Sequence, residues 1–167
     1  MIKQITYYYK SKVAEVRDAD MKDVFALAPN VREADKREIW KSHHRTPEGA
    51  LMSGYTSSVF CLTIIYKGKP IAMFGVSPES LLSDKAIVWL LASQELEKVQ
   101  KTFIRNNKRI IAMFLAHYPT LYNFVDVENK QSIKWLMWCG AHIGTAVPYG
   151  IEQKLFNYFE FRREDYV

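Results

Sequence analysis

The residues that join an apolar run to a long helical pattern, at Leu90–Lys98 ("LLASQELEK"), are of types that decide whether an anion can bind. The N-terminus of a helix holds phosphate through its backbone N–H groups, and glycine there lets the phosphate approach. This junction has no glycine, Ser93 is a good N-cap, and Glu95 and Glu97 place carboxylates in the first turn. We therefore predict that the positive end of this helix is already satisfied by Ser93 and the two glutamates, and that these carboxylates repel phosphate. The long side chains that still reach an anion are Gln94, Lys98 and Lys101.

A second segment, Asn129–Ala141, combines a polar cap with two tryptophans. Asn129 can accept a hydrogen bond from the backbone near Ser132, and this capping role is sufficient to explain it. The helix that follows is apolar nearly all round, which is typical either of a helix enclosed by two layers or of one that presents a stripe to a partner. Trp135 and Trp138 are therefore candidates for a contact with another protein.

The histidines and cysteines do not have the spacing of a metal site. His43 and His44 are adjacent, so on a helix their side chains point about 100° apart. Cys61 and Cys139 stand alone inside apolar stretches, without the pattern of a metal knuckle or a redox pair. We expect reduced, buried thiols and no metal.

Length and composition indicate one domain with a short extension. The chain has 167 residues, and at 49% hydrophobic it can bury a proper core. We assign residues 1–11 to an N-terminal strand or arm and 12–167 to a single domain. Apolar runs such as Ala86–Ala92 are far shorter than the roughly 20 residues of a membrane span, so we expect a cytoplasmic protein with no membrane span. The net charge of +5 is scattered along the chain and indicates no specific recognition of nucleic acid.

Hydrophobic periodicity predicts an α+β fold, a sandwich built on a mixed sheet. The predicted strands, after a first one within residues 1–10, are Lys12–Arg17, Ser57–Tyr66, Pro70–Val76, Ala86–Ser93, Leu121–Val127, His142–Gly150 and Lys154–Arg163. The predicted helices begin at Asp18 or Asp20, Arg32, Pro47, Gln94 and Asn129. Gly68 is expected in a hairpin turn, and a second turn is expected at residues 148–150.

This order of elements resembles the GNAT superfamily, the acyl-CoA-dependent N-acetyltransferases, from about Lys12 onward. In that superfamily the helix after the fifth strand carries the loose pattern N-x-x-A-x-x-aromatic/L-Y-x-x-x-G-F. Its counterparts in this sequence are Asn129, Ser132, Trp135, Leu136, Gly140 and Ala141. The resemblance implies an α+β, GNAT-like fold with a mixed, mostly antiparallel sheet and helices on both faces.

A closer resemblance is to a family of tailed-phage proteins described as internal virion protein A or as phage acetyltransferase-like proteins. The matching segments are "READKREI", "VWLLAS", "HYPTLYNFVDVENKQSIKWLMWCGA", "VPYG" and "FNYFEF". The resemblance implies a viral protein of a bacteriophage, located in the host cytoplasm or in the virion. Its expected partner is a phage or host protein, or a second copy of the chain.

The GNAT resemblance also implies acetyl-CoA as a cofactor, and two departures count against it. The glycine-containing turn that binds the CoA pyrophosphate is replaced by "LLASQELEK". Leu136 stands where many GNAT enzymes place a tyrosine that protonates the departing thiolate. If acyl-CoA binds, the expected contacts are Leu91, Ala92, Ser93, Gln94, Asn129 and Ser132. The catalytic candidates are Glu38, which lies in a matching phage segment and is otherwise read as a solvated helix carboxylate, and Tyr122 and Tyr149, which are alternatives to the missing tyrosine.

The leading hypothesis is thus a phage GNAT-like protein with a degenerate acetyl-CoA site that acts in internal-core assembly, genome delivery or host-protein interaction. The alternative is an acyl-CoA-dependent N-acetyltransferase with a divergent phosphate loop that modifies a protein amine. A third reading is weak binding of nucleic acid by the basic face of Gln94–Tyr118. A splayed gap between the strands at Ala86–Ser93 and Leu121–Val127 favours the enzyme, whereas side chains that fill this gap favour a binding protein.

Overall fold

The structure, a computed structural model that describes residues 4–166, is built on one mixed sheet. Within these residues the strands are β1 (Tyr7–Lys10), β2 (Ala14–Asp18), β3 (Phe60–Tyr66), β4 (Lys69–Pro78), β5 (Lys85–Ala92), β6 (Thr120–Asp126), β7 (His142–Tyr149) and β8 (Lys154–Arg162). The α-helices are α1 (Met21–Leu27), α2 (Glu33–His43), α3 (Pro47–Ser57), α4 (Leu96–His117) and α5 (Lys130–Trp138). The strand order is β1-β2-β3-β4-β5-β6-β8-β7, and all neighbours are antiparallel except β5 and β6.

Helices cover both faces of the sheet, because side chains of β3 and β4 alternate between two apolar clusters. Leu62 and Phe74 pack into the larger cluster with α4, whose buried face includes Phe103 and Phe114. Met73 packs into a smaller cluster with residues of α1 and α3. The basic residues of α4 are exposed on its outer side. The predicted fold class is confirmed.

The start of α1 shows how the sequence fixes one helix in place. Asp20 is the N-cap, its side chain accepts from the Lys22 N–H at 3.0 Å, and Asp23 completes the capping box by accepting from the Asp20 N–H. The buried Asp23 carboxylate also accepts from Arg17 and from the Thr63 hydroxyl of β3, each at 2.8 Å. One carboxylate therefore joins the helix start to two strands.

Several predicted boundaries differ from the structure by one to three residues, as at β3, which begins at Phe60 because Ser57 still belongs to α3. Two further differences have a clear local cause. The second turn lies at residues 150–153, because β7 stays paired with β8 through Tyr149. Helix α4 begins at Leu96, two residues later than predicted, with Glu95 at the N-cap position. The reason is a tight turn in which the Ser93 carbonyl accepts from the Leu96 N–H and the Ser93 hydroxyl from the Glu95 N–H. Ser93 thus stabilises the turn before the helix.

The β7–β8 turn rests on the end of α2 and requires glycine at position 150. Gly150 has a φ of 74°, and a Cβ there would lie 2.5 Å from the Ser42 Cα. Gly68 has a similar φ of 79°, but a Cβ there would meet nothing within 4 Å. The two glycines have similar φ values, and a Cβ would clash with the backbone only at Gly150.

We expect Gly150→Ala to lower the free energy of unfolding by at least about 2 kcal/mol more than Gly68→Ala, because only the first substitution adds a backbone clash to the cost of a left-handed alanine. Urea denaturation of both variants measures the difference. Equal losses would mean that the turn is not pressed against α2.

Candidate functional site

Strands β5 and β6 separate halfway along their length. They pair only at Lys85–Ile87 with Thr120–Tyr122. Beyond this point β5 follows β4 to Ala92 while β6 follows β8 to Asp126, so the two halves are held to opposite neighbours. The Asn123 amide donates to the Val88 carbonyl at 2.9 Å where the strands part. A cavity of 540 Å³ opens there, so the gap is splayed and is not filled by side chains.

The main chain of β5 faces this cavity at one residue. The Ala92 N–H donates to the Asp35 carboxylate at 3.0 Å, and the Ala92 carbonyl accepts from the Arg32 N–H at 2.8 Å, so both groups point away from β4. The Val88 carbonyl points the same way. Because main-chain direction alternates along a strand, Leu90 between them presents its N–H and carbonyl to the gap. Leu90 thus offers a free strand edge inside the cavity.

Glu38 of α2 lines the cavity and is anchored from behind. Its Oε1 accepts from the Asp126 N–H and from the Asn129 amide, both at 3.0 Å. Burial, together with the neighbouring Asp35 and Asp126 carboxylates, raises the pKa of Glu38 to about 7, although its two hydrogen bonds act in the opposite direction. The reading of Glu38 as a solvated carboxylate was wrong. It is instead a partly buried group close to its titration point at neutral pH.

The two candidate tyrosines lie in different places. Tyr149 lines the cavity, its ring stacks on Phe124 with a centroid distance of 4.0 Å, and burial raises its pKa. Tyr122 is not among the cavity residues, and its hydroxyl donates to Glu79 at 2.7 Å. The structure therefore brings Glu38 and Tyr149 to one cavity and leaves Tyr122 outside.

The predicted cofactor contacts also divide. Leu91 and Ser132 line the cavity, whereas Ala92, Ser93, Gln94 and Asn129 are not among its lining residues. Asn129 caps α5 by accepting from the Ser132 N–H at 3.2 Å, as predicted, and also donates to Glu38. Asn129 thus caps α5 and also helps to hold the Glu38 carboxylate in place.

The two tryptophans of α5 face different surroundings. Trp135 lines the cavity and stacks on Phe103 with a centroid distance of 5.5 Å. Its indole Nε1 is buried and has no hydrogen-bond partner among residues 4–166. Trp138 also lines the cavity, but 53% of its surface is exposed, and the Lys134 ammonium lies 5.0 Å from its ring centre. Of the two predicted interface residues, only Trp138 is available on the surface.

Sequence reasoning missed two titratable cavity residues of α2, Asp35 and His43. Asp35 forms a buried ion pair with Arg32 at 3.0 Å, and the charged pair at i,i+3 in "READ" was the available signal. His43 lines the cavity with its Nδ1 2.7 Å from the Ser42 hydroxyl, and burial lowers its pKa. No local pattern distinguishes it from His44. Across residues 4–166, no cluster of three histidine, cysteine or acidic side chains could hold a metal.

Solved structures of acetyltransferases share this fold. A ribosomal-protein-S5-alanine acetyltransferase from Vibrio fischeri matches with a TM-score of 0.68 and 16% identity over 97% of this chain and 99% of that chain. A spermidine N-acetyltransferase from Vibrio cholerae, in complex with CoA and spermine, matches with a TM-score of 0.68 and 12% identity over 93% and 99%. RimL, a ribosomal L7/L12 alpha-N-protein acetyltransferase in complex with coenzyme A, matches with a TM-score of 0.66 and 10% identity over 94% and 98%. The chain therefore has the GNAT-like acetyltransferase fold.

No curated protein matches the sequence. Among the helices of residues 4–166, none has the length and apolar character that crossing a membrane requires. One family model matches residues 61–145, just over half of the chain, from β3 through the end of α5 and into β7. Its match covers β5, β6 and α5, which form most of the gap. The chain belongs to the phage protein family described as Bacteriophage T7, probable scaffold protein Gp13.

Proposed function

We propose that this chain is a phage N-acyltransferase that binds an acyl-CoA in the gap between β5 and β6 and acylates an amine of a protein. The observation that carries the proposal is the open gap with Glu38 at its wall. The splayed strands are the arrangement expected of the enzyme and not of a binding protein whose side chains fill the gap. The CoA complexes among the structural relatives support the same reading.

The cavity suits the pantetheine arm of the donor. That arm carries amide groups, which form hydrogen bonds of the kind found at a strand edge. Leu90 offers one N–H and one carbonyl to such an arm, between the Val88 carbonyl and the Ala92 N–H that point the same way.

The bound thioester supplies the acyl group, and the chain supplies the proton transfers. With a pKa of about 7, Glu38 is ionised in a substantial fraction of molecules at neutral pH and can take a proton from an attacking amine. The Asp126 N–H and the Asn129 amide fix the orientation of its carboxylate. Tyr149 remains protonated because burial raises its pKa, so it is the donor candidate for the leaving thiolate.

The test is an acyl-transfer assay in which the purified protein, acetyl-CoA and a panel of peptides with free α-amines or lysines are combined. Mass spectrometry of the peptides and thiol release are followed together. Acetylation of at least one amine class above the uncatalysed rate supports the proposal. Thiol release while none of the amines in the panel becomes acylated would contradict it.

A second candidate function is particle assembly, as the family description "probable scaffold protein" suggests. The specific observation that favours it is the exposed pair Met137 and Trp138 on α5, with 59% and 53% of their surfaces accessible. A large exposed aromatic side chain is typical of the anchor of a protein interface. On this proposal the chain acts in the host cytoplasm or the virion on a phage protein, a host protein or a second copy, in the manner implied by the name internal virion protein A.

We expect Trp138→Ala to lower the yield of infectious particles by about tenfold or more when the variant complements a phage that lacks this protein, because loss of an anchor residue costs at least about 2 kcal/mol. Because Trp138 also lines the cavity, Met137→Ala tests the same exposed pair outside the lining and should lower the yield in the same direction. Trp40→Ala is the control for loss of an exposed tryptophan, since Trp40 has the same 53% exposure and lies outside the cavity lining. Yields from Trp138→Ala and Met137→Ala equal to that from Trp40→Ala would remove the support for the assembly function.

A further inference from the structure

At the start of α4, where a helix would hold a phosphate, five backbone donors are engaged within the chain. The Ser93 N–H donates to the Ile71 carbonyl at 2.8 Å, and the Glu95 N–H to the Ser93 hydroxyl at 3.3 Å. The N–H groups of Leu96, Glu97 and Lys98 donate to the carbonyls of Ser93, Gln94 and Glu95 at 3.2, 3.2 and 3.0 Å. Phosphate binding at a helix start uses such groups when they are free. None of these five is available for a diphosphate.

The side chains at the same place add negative charge. Glu97 lines the mouth of the cavity, and its Oε1 accepts from the Gln131 amide at 2.9 Å, which ties α4 to α5. Lys98, the nearest cation on the helix, is paired with Glu95 at 3.0 Å. A diphosphate at this mouth would therefore face the Glu97 carboxylate, and the first turn of α4 offers it no free cation. Lys134, a cation of the cavity lining, belongs to α5 and has its ammonium over the Trp138 ring.

Deeper in the gap the situation is the reverse, because the main chain of β5 faces the cavity. Leu90 presents its N–H and carbonyl there, between the Val88 carbonyl and the Ala92 N–H that point the same way. The part of the site that recognises an amide-bearing arm is thus intact, whereas the part that would recognise a nucleotide diphosphate is closed.

We infer that the site selects its acyl donor by the pantetheine arm and makes no favourable contact with the nucleotide diphosphate, an inference that rests on the proposed acyltransferase function. An acyl group on a pantetheine arm is then accepted whether the arm belongs to CoA or to an acyl carrier protein. The two donors share the thioester and the two amide groups of the pantetheine arm.

Calorimetric titration with S-acetyl-pantetheine and with acetyl-CoA tests the inference without relying on turnover. We expect dissociation constants within about threefold of each other and no competition by the nucleotide half of CoA alone. Glu97→Gln should lower the dissociation constant of acetyl-CoA by about threefold or more at low salt, because it removes a negative charge that repels the diphosphate at the mouth of the cavity. The dissociation constant of S-acetyl-pantetheine should not change. Glu33→Gln, on an exposed part of α2, is the control.

Each result has a distinct meaning. Acetyl-CoA that binds more than about tenfold tighter than S-acetyl-pantetheine would overturn the inference and leave the acyltransferase proposal standing. Failure of both thioesters to bind would overturn the proposed function itself. In a parallel arm, transfer from an acylated carrier protein supports the inference with the carrier as the source, whereas transfer from acetyl-CoA and S-acetyl-pantetheine alone supports it with CoA as the source.

Discussion

Replacing Glu38 with glutamine is expected to lower kcat/KM for acyl transfer by about 10²–10⁴-fold, the usual contribution of a general base. Glutamine keeps an oxygen that can accept from the Asp126 N–H and the Asn129 amide, so the geometry is retained while the base is lost. In the natural protein kcat/KM should rise with pH through an apparent pKa of about 7. The variant should show a flat profile in that range.

The matched control is Glu33→Gln, which changes an exposed carboxylate of the same helix that is paired only with Lys36. It should leave both the rate and the pH profile unchanged. If Glu38→Gln retained activity within about threefold of the natural protein, Glu38 would not be the base.

The same substitution should stabilise the protein at alkaline pH. The folded chain keeps a proton on Glu38 up to about pH 7, whereas the unfolded chain releases it near 4.5. Stability from this group is therefore fully present below about 4.5 and is lost as pH rises to about 7. At about pH 8.5 we expect Glu38→Gln to be more stable than the natural protein by about 2–3 kcal/mol, as measured by urea unfolding. A gain in stability together with a loss of activity is the signature of a group retained for function.

The second large effect is expected at Asp35. Asp35→Ala should lower the free energy of unfolding by about 3–5 kcal/mol, because it leaves the buried Arg32 guanidinium without its carboxylate. The two side chains are only 3% and 10% exposed. The substitution also frees the Ala92 N–H, which donates to Asp35 at the end of β5, beyond the point where the strands part.

Two comparisons make this measurement specific. Lys36→Ala, which removes an exposed ion pair with Glu33, should cost less than about 1 kcal/mol. The double variant Arg32→Met with Asp35→Leu should recover part of the loss, because it removes both buried charges. A cost for Asp35→Ala no greater than that for Lys36→Ala would show that the buried pair does not support α2.

The sequence was sufficient to predict most of the fold, because its hydrophobic periods are clear. Alternation in β2, the apolar run of β5 and the three- and four-residue steps of α4 each predict the element that forms. The capping roles of Asp20, Thr46 and Asn129 are local and were also readable. The start of α4 after Ser93 could not be predicted in the same way. The Ser93 hydroxyl accepts from the Glu95 N–H in a turn before the helix, and this hydrogen bond resembles the one that an N-cap serine would make.

The site was less predictable, because its key groups meet only through the topology. Glu38 accepts a hydrogen bond from the N–H of Asp126, which lies 88 residues further along the chain. Nothing near Glu38 in the sequence indicates that it is buried. The orientation of α5 was also hidden, since a helix that is apolar all round does not reveal that Trp135 stacks on Phe103 while Trp138 is half exposed at the edge of the cavity. The divergence of β5 from β6 follows from the pairing of each strand with its other neighbour, which periodicity does not encode.

The most direct test of the central claim, that the gap binds an acyl-pantetheine thioester, is calorimetric titration of the natural protein and two tryptophan variants with acetyl-CoA. Ser132→Trp fills the cavity that Ser132 lines, and Lys130→Trp places the same bulk at an exposed position outside it. We predict micromolar binding, about −8 kcal/mol, by the natural protein and Lys130→Trp, and no binding by Ser132→Trp. Absence of heat with the natural protein, or equal binding by both variants, would contradict the claim.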